Sequence, residues 1–338
     1  MPIDIVLDAM GSDKAPEPEI RGAILATRLL DVRVHLVGPE ELLRPKLREA
    51  IRLYSRKVRP PVFIVQASEW ISMDDKAALA VRSKRDSSMR VALKMLREGR
   101  AAGFVTAGNT GAAMATAKMV LGSLAGIDRP ALATSMPTIS GTPCVLLDVG
   151  ANVDSDPENL VQFAVMGHVF ARNVLRIVNP RVGLLSIGEE DGKGNSLTRD
   201  TLPLLRELNG IHFIGNVEGR DIFNGNCDVV VCDGFVGNVA LKTCEGTAKL
   251  LSVSLKESLK STVTSQVGAL LSQKAFTAFK KRLDYSEYGG AQLLGVRGPV
   301  IVGHGSSNER AIMNGIRVAA EFAHAEVNSG IEAALALR

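Results

Sequence analysis

The stretch Gly103-Phe-Val-Thr-Ala-Gly-Asn-Thr-Gly-Ala-Ala-Met-Ala-Thr-Ala-Lys-Met-Val-Leu-Gly-Ser-Leu-Ala125 carries the fold in miniature. A short apolar run, Gly103–Thr106, stops at a loop of small residues. A segment with helical period follows to about residue 125. Strand, glycine loop, helix is the first half of a βαβ unit. The same alternation recurs outward in both directions. Strand-like runs stand at Ile3–Leu7, Val32–Val37, Val62–Val65, Cys144–Val149, Val182–Ile187, His212–Ile214, Val229–Cys232 and Val300–Val302. Helical periods fill residues 17–30, 40–53, 75–98, 157–176, 196–208, 235–283 and 306–336. Such alternation predicts an α/β fold, a doubly wound and mostly parallel sheet buried on both faces. No repeat or low-complexity linker divides residues 1–338, so one domain is expected, either undivided or as two lobes about a cleft.

Glycine is 32 of 338 residues, above the usual share of about 7%. The excess collects just past strand ends. The loops are Asp8-Ala-Met-Gly11-Ser12, Gly108-Asn109-Thr110-Gly111, Asp148-Val-Gly150-Ala-Asn152, Gly188 to Asn195, Gly215-Asn216, Asp233-Gly234 with Gly237-Asn238, and Gly303-His304-Gly305-Ser306-Ser307. In an open parallel sheet the carboxyl-end loops form the ligand crevice. All these loops are therefore expected on one rim. Glycine lets backbone N–H groups approach a ligand, and a helix N-terminus adds donors and a positive dipole end. Gly108–Gly111 and Gly305–Ser307 each open a helix and suit an anion, although any one such loop also reads as plain turn and N-cap chemistry.

Composition excludes several classes. Apolar residues make up 46% and charged residues 22%, enough for a large core and too apolar for disorder. Forty basic residues against thirty-six acidic leave a net charge of +4, and aromatics are 4% with a single Trp70. That is not a nucleic-acid binder's profile. No stretch of about 18 apolar residues is present to span a membrane. The start MPIDIVLDAMG has no signal-peptide pattern. Cys144, Cys227, Cys232 and Cys244 form no C-x-x-C pair and read as reduced core thiols of a cytoplasmic chain. The five histidines lack metal-ligand spacing, so neither a metal nor another cofactor is called for. Neither G-x-x-x-x-G-K-[ST] nor a complete G-x-G-x-x-G occurs, and no G-x-S-x-G elbow stands out.

Individual side chains carry two readings each. Lys193, between glycines, can neutralise a phosphate or take its proton, or is a solvated surface lysine. Lys84 with Ser87 and Ser88 can clamp an anion, or forms an exposed helix face. His304 can donate to an oxyanion, or caps a helix. Asp8 and Asp233, at strand ends, orient loop backbones rather than react. Residues 249–283 stand apart. Leu251, Leu255, Leu259, Val263, Val267 and Leu271 step by four, followed by Phe276, Phe279 and Leu283, as an apolar stripe on a long helix. Lys249, Lys256, Lys260, Lys274, Lys280, Lys281 and Arg282 face one acid, Glu257, in this window. A protruding basic amphipathic helix can lie on an anionic membrane, bind an acidic partner, or pack in a dimer.

Taken together these motifs resemble the bacterial acyl-ACP:phosphate acyltransferases, the PlsX family. The resemblance rests on Ala9-Met-Gly-Ser-Asp13, Lys84 with Ser87-Ser88-Met89, Ala107-Gly-Asn-Thr-Gly-Ala112, Leu147-Asp-Val-Gly-Ala-Asn152, Gly192-Lys-Gly-Asn195, Gly215-Asn216 with Glu218-Gly-Arg-Asp221, Asp233-Gly-Phe with Gly237-Asn238, Tyr288-Gly-Gly-Ala291 and His304-Gly-Ser-Ser307. It spans nearly the whole chain in order, with Ser12 where the family usually has a second glycine. The resemblance implies an isocitrate/isopropylmalate dehydrogenase-like fold, a homodimer, and peripheral attachment to the inner face of the cell membrane. It implies transfer of a long acyl chain from acyl-ACP to inorganic phosphate, feeding glycerol-3-phosphate acyltransferase in phospholipid synthesis.

For that reaction Lys193, Asn152 and His304 are the candidate catalytic residues. Asp8, Gly11, Lys84, Ser87, Ser88, Gly108, Asn109, Thr110, Gly111, Asn195, Asn216, Asp233, Asn238, Ser306 and Ser307 are the candidate substrate contacts. Two other readings stand beside it: a phosphate acetyl- or butyryltransferase using coenzyme A, and a membrane-associated lipid carrier without catalysis.

Overall fold

A computed structural model describes residues 2–54, 59–283 and 289–336, leaving aside the side chains of residues 280–283. The first half runs β1 (Ile3–Asp8), α1 (Glu17–Leu29), β2 (Val32–Gly38), α2 (Glu40–Tyr54), β3 (Val62–Gln66), α3 (Ala77–Ser83), α4 (Ser88–Arg97), β4 (Gly103–Thr106) and α5 (Thr110–Leu121). The middle runs β5 (Ala131–Met136), β6 (Cys144–Leu147), α6 (Pro157–Asn173), β7 (Arg181–Leu185), α7 (Ser196–Glu207), β8 (His212–Val217), α8 (Asp221–Asn224) and β9 (Val229–Val231). Last come α9 (Gly234–Lys260), α10 (Val263–Leu271), α11 (Gln273–Leu283), β10 (Ala291–Leu294), β11 (Val300–Val302), α12 (Glu309–His324) and α13 (Val327–Ala336).

All eleven strands join one sheet in the order β3-β2-β1-β4-β11-β10-β5-β6-β9-β7-β8. Every strand read from the sequence is present. Two were not foreseen, β5 and β10, and both are antiparallel to their neighbours. Their sequences, Ala-Leu-Ala-Thr-Ser-Met and Ala-Gln-Leu-Leu, are poor in β-branched and aromatic residues, so the usual strand signal is faint. They sit mid-sheet and reverse its sense. Strands β6, β9, β7 and β8 therefore run opposite to β1, β2, β3, β4 and β11. The expectation of one rim for all the glycine loops gives way to two rims, at opposite ends of the strands.

Helices cover both faces. α1, α2 and α12 bury Ile20, Ile24, Leu43, Ile312 and Ile316 on one face of the first half. α6, α7 and α13 bury Phe163, Phe170, Leu202 and Ile331 on the second half. A third cluster crosses the reversal, from Met89 and Leu93 on α4, through Leu132 and Leu293, to Val230. Sheet and helices thus enclose three apolar clusters, in which each buried Leu, Ile or Phe contributes roughly 1.5–3 kcal/mol.

The region read as one helix over 75–98 is two, because residues 84–87 break it and Ser87 stands at the N-cap of α4. The long basic helix is likewise three. At its first break the Ser261 hydroxyl donates to the Ser258 carbonyl, and the Thr262 hydroxyl accepts from the Ser265 N–H. Hydroxyls that compete for the backbone end a helix locally. The four-residue stripe is thereby interrupted, and Val263, Leu270 and Leu271 stand exposed. Of the basic stretch, the side chains of Lys280, Lys281, Arg282 and Leu283 lie outside the described residues, as does Tyr288.

Candidate functional site

The first rim is built on Asp8. Its carboxylate ends β1 fully buried and accepts from the Thr106 hydroxyl at 2.8 Å and the Met10 N–H at 3.1 Å. Burial pushes its pKa up, against the pull of the hydroxyls of Ser88 and Thr106. The Thr106 oxygen accepts in turn from the Gly108 N–H at 3.0 Å. Asp8 thus fixes Gly108 through one intermediary. The loops touch so closely that a Cβ at Gly11 would stand 2.8 Å from the Gly108 nitrogen, and one at Gly108 only 2.6 Å from Met89 Cε. A side chain at Gly11 would meet backbone, and one at Gly108 would have to displace the Met89 methyl group.

Asn109 caps α5, its side-chain oxygen accepting from the Ala112 N–H at 3.0 Å. Its amide nitrogen donates to the carbonyls of Met73 and Asp75, both at 3.2 Å. Asn109 therefore ties the 70–76 loop over the start of α5. Lys84 secures the same loop, donating to Asp75 at 2.5 Å and to the Trp70 carbonyl at 2.9 Å. The Lys84 ammonium holds the Asp75 carboxyl below its ordinary value. Ser87 and Ser88 are buried at the start of α4. Of the expected anion clamp, the Lys84 ammonium is thus occupied in holding a loop, and Ser87 and Ser88 are buried away from the groove.

Past β11, the Gly303 N–H donates to the Thr106 carbonyl at 2.7 Å, and Asp13 N–H to the Gly305 carbonyl at 2.8 Å. His304 is exposed. Its Nδ1 accepts from the Ser306 N–H at 3.2 Å and lies 2.8 Å from the Ser306 hydroxyl. An accepting Nδ1 places the proton of the neutral ring on Nε2. The Ser307 hydroxyl donates to the His304 carbonyl at 2.6 Å. Ser306 and Ser307 shape this loop, and α12 takes its cap from Asn308.

The second rim is built on Asp148, which is fully buried past β6. One carboxylate oxygen accepts from the N–H groups of Leu132, Gly150 and Ala151, the other from the N–H and side-chain amide of Asn152, at 2.7–3.2 Å. Burial raises its pKa against these donors. Asn152 gives its side-chain amide to Asp148 and to the Pro130 carbonyl, both at 2.9 Å. Its two amide hydrogens are thus engaged, so Asn152 orders this rim instead of offering a donor to a ligand. Asp233 caps α9, accepting from the N–H groups of Phe235 and Val236 at 2.9 Å. Asn238, exposed on the second turn of α9, packs beside Gly150.

Lys193 and Asn195 lie in the exposed loop after β7, on this same second rim. Asn195 caps α7 by accepting from the Thr198 N–H at 3.0 Å. Asn216 is buried, donates to the Glu190 carbonyl at 3.0 Å, and keeps its side-chain oxygen buried without a partner.

A groove of about 970 Å³ joins the two rims across the face of β5. One end is lined by Gly108, Thr110, Gly111 and the 303–305 loop, and another part by Gly150 and Asn238. Between them the walls are mostly apolar: Met114, Leu132, Met136, Phe223, Leu241 and, farther along α9 and α11, Leu251 and Phe279. Gly108, Thr110, Gly111, Asn238 and His304 are the expected site residues brought together as its walls. Asp8, Gly11 and Asn109 stand behind the first of them. Lys193, Asn195, Asn216, Asp233, Asn152, Lys84, Ser87, Ser88, Ser306 and Ser307 do not line it.

Two further groups escaped the sequence reading. Lys242 and Glu245 line the groove as an ion pair. Their signal was a run beside Asn238 that reads as ordinary helix surface. Cys244 also lines the groove, and burial pushes its thiol up, which disfavours the nucleophilic thiolate. Among the described residues, no group of three or more His, Cys, Asp or Glu could hold a metal ion.

Known proteins match nearly the whole chain. Residues 3–330 match the family model described as fatty acid synthesis protein. The phosphate acyltransferase of Acidobacterium capsulatum is 68% identical over 330 residues, which are 98% of this chain and 96% of that one. The phosphate acyltransferase of Geobacillus thermodenitrificans is 48% identical, covering 98% and 99%. Among solved structures, a phosphotransacetylase from Streptococcus pyogenes superposes with a TM-score of 0.63 at 16% identity, over 96% of this chain and 94% of that one. A 4-hydroxythreonine-4-phosphate dehydrogenase from Klebsiella pneumoniae gives 0.55 at 13%, over 95% and 98%. These two likenesses concern the fold.

Proposed function

This chain belongs to the fatty acid synthesis protein family, that of the phosphate acyltransferases, and from that premise we propose that it transfers a long acyl chain from acyl-ACP to inorganic phosphate. The observation that carries the reading is the groove: an anion-type loop, Gly108–Gly111, at one end of a largely apolar trough of about 970 Å³. Phosphate is already anionic at neutral pH, so it needs placing more than activating. Holding it beside the thioester supplies proximity, for which effective molarities reach about 10⁵ M or more.

In this reading phosphate sits against the N-terminus of α5. His304 Nε2–H donates to the oxyanion of the tetrahedral intermediate, and Asn238, on the opposing wall, offers a second donor. A C–O bond forms as the C–S bond breaks. The phosphate proton ends on the departing sulfur; Lys193, on the rim that carries Asn238 but outside the groove wall, is the carrier proposed to reach in for it. Loss of one oxyanion donor typically costs about 3–4 kcal/mol of barrier. No enzyme nucleophile is needed, in keeping with the protonated Cys244.

The acidic carrier protein and an anionic membrane surface are the partners proposed for the basic segment α9–α11. No described helix is long and apolar enough to cross a membrane, so the proposed attachment is peripheral, at the inner face. The exposed Phe235, Val236 and Val239 at the start of α9 support a homodimer contact. The product would pass to a glycerol-3-phosphate acyltransferase.

The test is phosphate-dependent consumption of palmitoyl-ACP, with acyl-phosphate detected by mass and acetyl-CoA run in parallel. Turnover of palmitoyl-ACP is expected; preference for acetyl-CoA would favour the short-chain reading, and no turnover of either a carrier role. Lys193→Ala with normal rate and phosphate affinity would remove Lys193 from the mechanism.

A further inference from the structure

We propose that Lys242 is the cation that holds the anionic acyl acceptor in the groove, with Glu245 orienting its ammonium. The proposal rests on the phosphate acyltransfer reading and names a further residue of that site. Among the described residues lining the groove, Lys242 alone bears an ammonium and Glu245 alone a carboxylate; the remainder are apolar or neutral polar groups and His304. Lys242 Nζ and Glu245 Oε2 are 2.7 Å apart, with side chains 52% and 23% exposed.

Helix energetics does not account for this pair. Lysine preceding glutamate is the less favourable order along a helix, and an exposed pair of this kind contributes little to stability. With Lys242 half exposed, stability gives no reason for this pair to stand at the groove.

Position supplies one. Lys242 follows Asn238 by one helical turn, so the two side chains are neighbours on α9. Asn238 in turn packs beside Gly150. An amide donor and an ammonium side by side form half a cradle for an anion, facing the groove that also receives the N-terminus of α5. Apolar walls lower the local dielectric and strengthen any charge held there. A dianion entering such a trough loses water, and a fixed ammonium compensates that loss without being consumed. The ammonium has three N–H donors. It can keep one on Glu245 and turn the others to the ligand, so the carboxylate sets its direction without competing for the site.

Charge balance fits. As hydrogen phosphate attacks the thioester carbonyl, its oxygen forms the new C–O bond, the C–S bond breaks, and its proton ends on the sulfur. The reacting groups carry the same total charge before and after. Lys242 therefore only needs to hold the anion through the step, and no proton of its own moves.

The experiment uses the full chain as Lys242→Met, Lys242→Gln, Lys242→Arg and Glu245→Gln. Phosphate and palmitoyl-ACP are varied separately, and the rise in melting temperature with inorganic phosphate alone is recorded. Expected for Lys242→Met is a tenfold or greater rise in phosphate KM, palmitoyl-ACP KM within twofold of wild type, and loss of the phosphate-induced melting shift. The phosphate-free melting temperature should be unchanged. Lys242→Gln repeats the neutral substitution should the Met variant fold poorly. Lys242→Arg should recover part of the loss, and Glu245→Gln should raise phosphate KM less than Lys242→Met does. A wild-type phosphate KM and melting shift in both neutral variants would overturn the proposal, as would equal rises in both KM values with no rescue by arginine. If wild type forms no acyl-phosphate, the reaction itself is misread, and the melting shift with phosphate still decides whether Lys242 binds the anion.

Discussion

Buried acids stand behind the loops of this site, and Glu19 is one of them. It lies in the first turn of α1 with no exposed surface, one carboxylate oxygen accepting from the Ser12 N–H at 3.0 Å and the other buried without a partner. Burial raises its pKa from 4.5 to about 7. The folded chain keeps this proton to about pH 7, whereas the unfolded chain releases it near 4.5. Folding therefore loses stability as pH rises through that window. Glu19→Gln keeps an acceptor for Ser12 and removes the ionisation. Its melting temperature relative to wild type should climb from pH 5 to pH 8, and a constant difference would contradict the assignment. Little of this was legible in sequence. An acid in a helix's first turn reads as dipole chemistry, and its burial comes from residues 9–13 folding back over it. Asp148 was missed similarly: it stands in a recognised motif, and four of its five donors lie in the following loop, but the fifth, the Leu132 N–H, arrives only once β5 lies beside β6.

For single elements, legibility followed the strength of the local signal. α5 announced itself through Asn109-Thr-Gly, and Asn109 caps it. Asn109→Ala should cost about 1 kcal/mol from the lost cap. It also frees the 70–76 loop, whose Met73 lines the groove, so phosphate KM should rise while the variant still folds. Melting and initial-rate measurements check both; an unchanged KM would limit Asn109 to capping. β5 and β10 stayed hidden because alanine, glutamine and leucine in runs of four to six residues carry no strand preference, and their positions are fixed by strands on either side. The basic segment was legible as amphipathic helix but not as three pieces. Lys256 and Lys260 are exposed on α9. Replacing both with Gln should weaken binding to anionic vesicles at low salt and reduce its salt sensitivity; unchanged co-sedimentation would exclude α9 from that surface.

Across the molecule, the sequence conveyed the layers and the family resemblance, yet placed every glycine loop on one rim. The error traces to the two unseen strands, since an odd run of antiparallel steps turns half the sheet around. The two rims still meet, because the groove crosses the face of β5 between them. What remained illegible was which loop residues face that space, a matter of side-chain direction rather than order along the chain. Topology also makes a prediction. β4 is completed by β11, with Val300 beside Phe104, and α12 packs on α1. A chain ending at residue 290 lacks these parts and exposes an unpaired strand edge with its apolar surface. It should be recovered mainly as aggregate, measured as the soluble fraction beside full-length protein; a soluble, monomeric product would contradict this.

The late arrival of β11 has a consequence during synthesis. A ribosome makes residues 1–121 first, but the pieces that complete them, β11 and α12, emerge from the exit tunnel only after the whole intervening half of the sheet. Until they emerge, the nascent first half waits with an unpaired strand edge. Slow codons or a bound chaperone between residues 122 and 300 would lengthen that wait and bear on its yield more than the same features before residue 121.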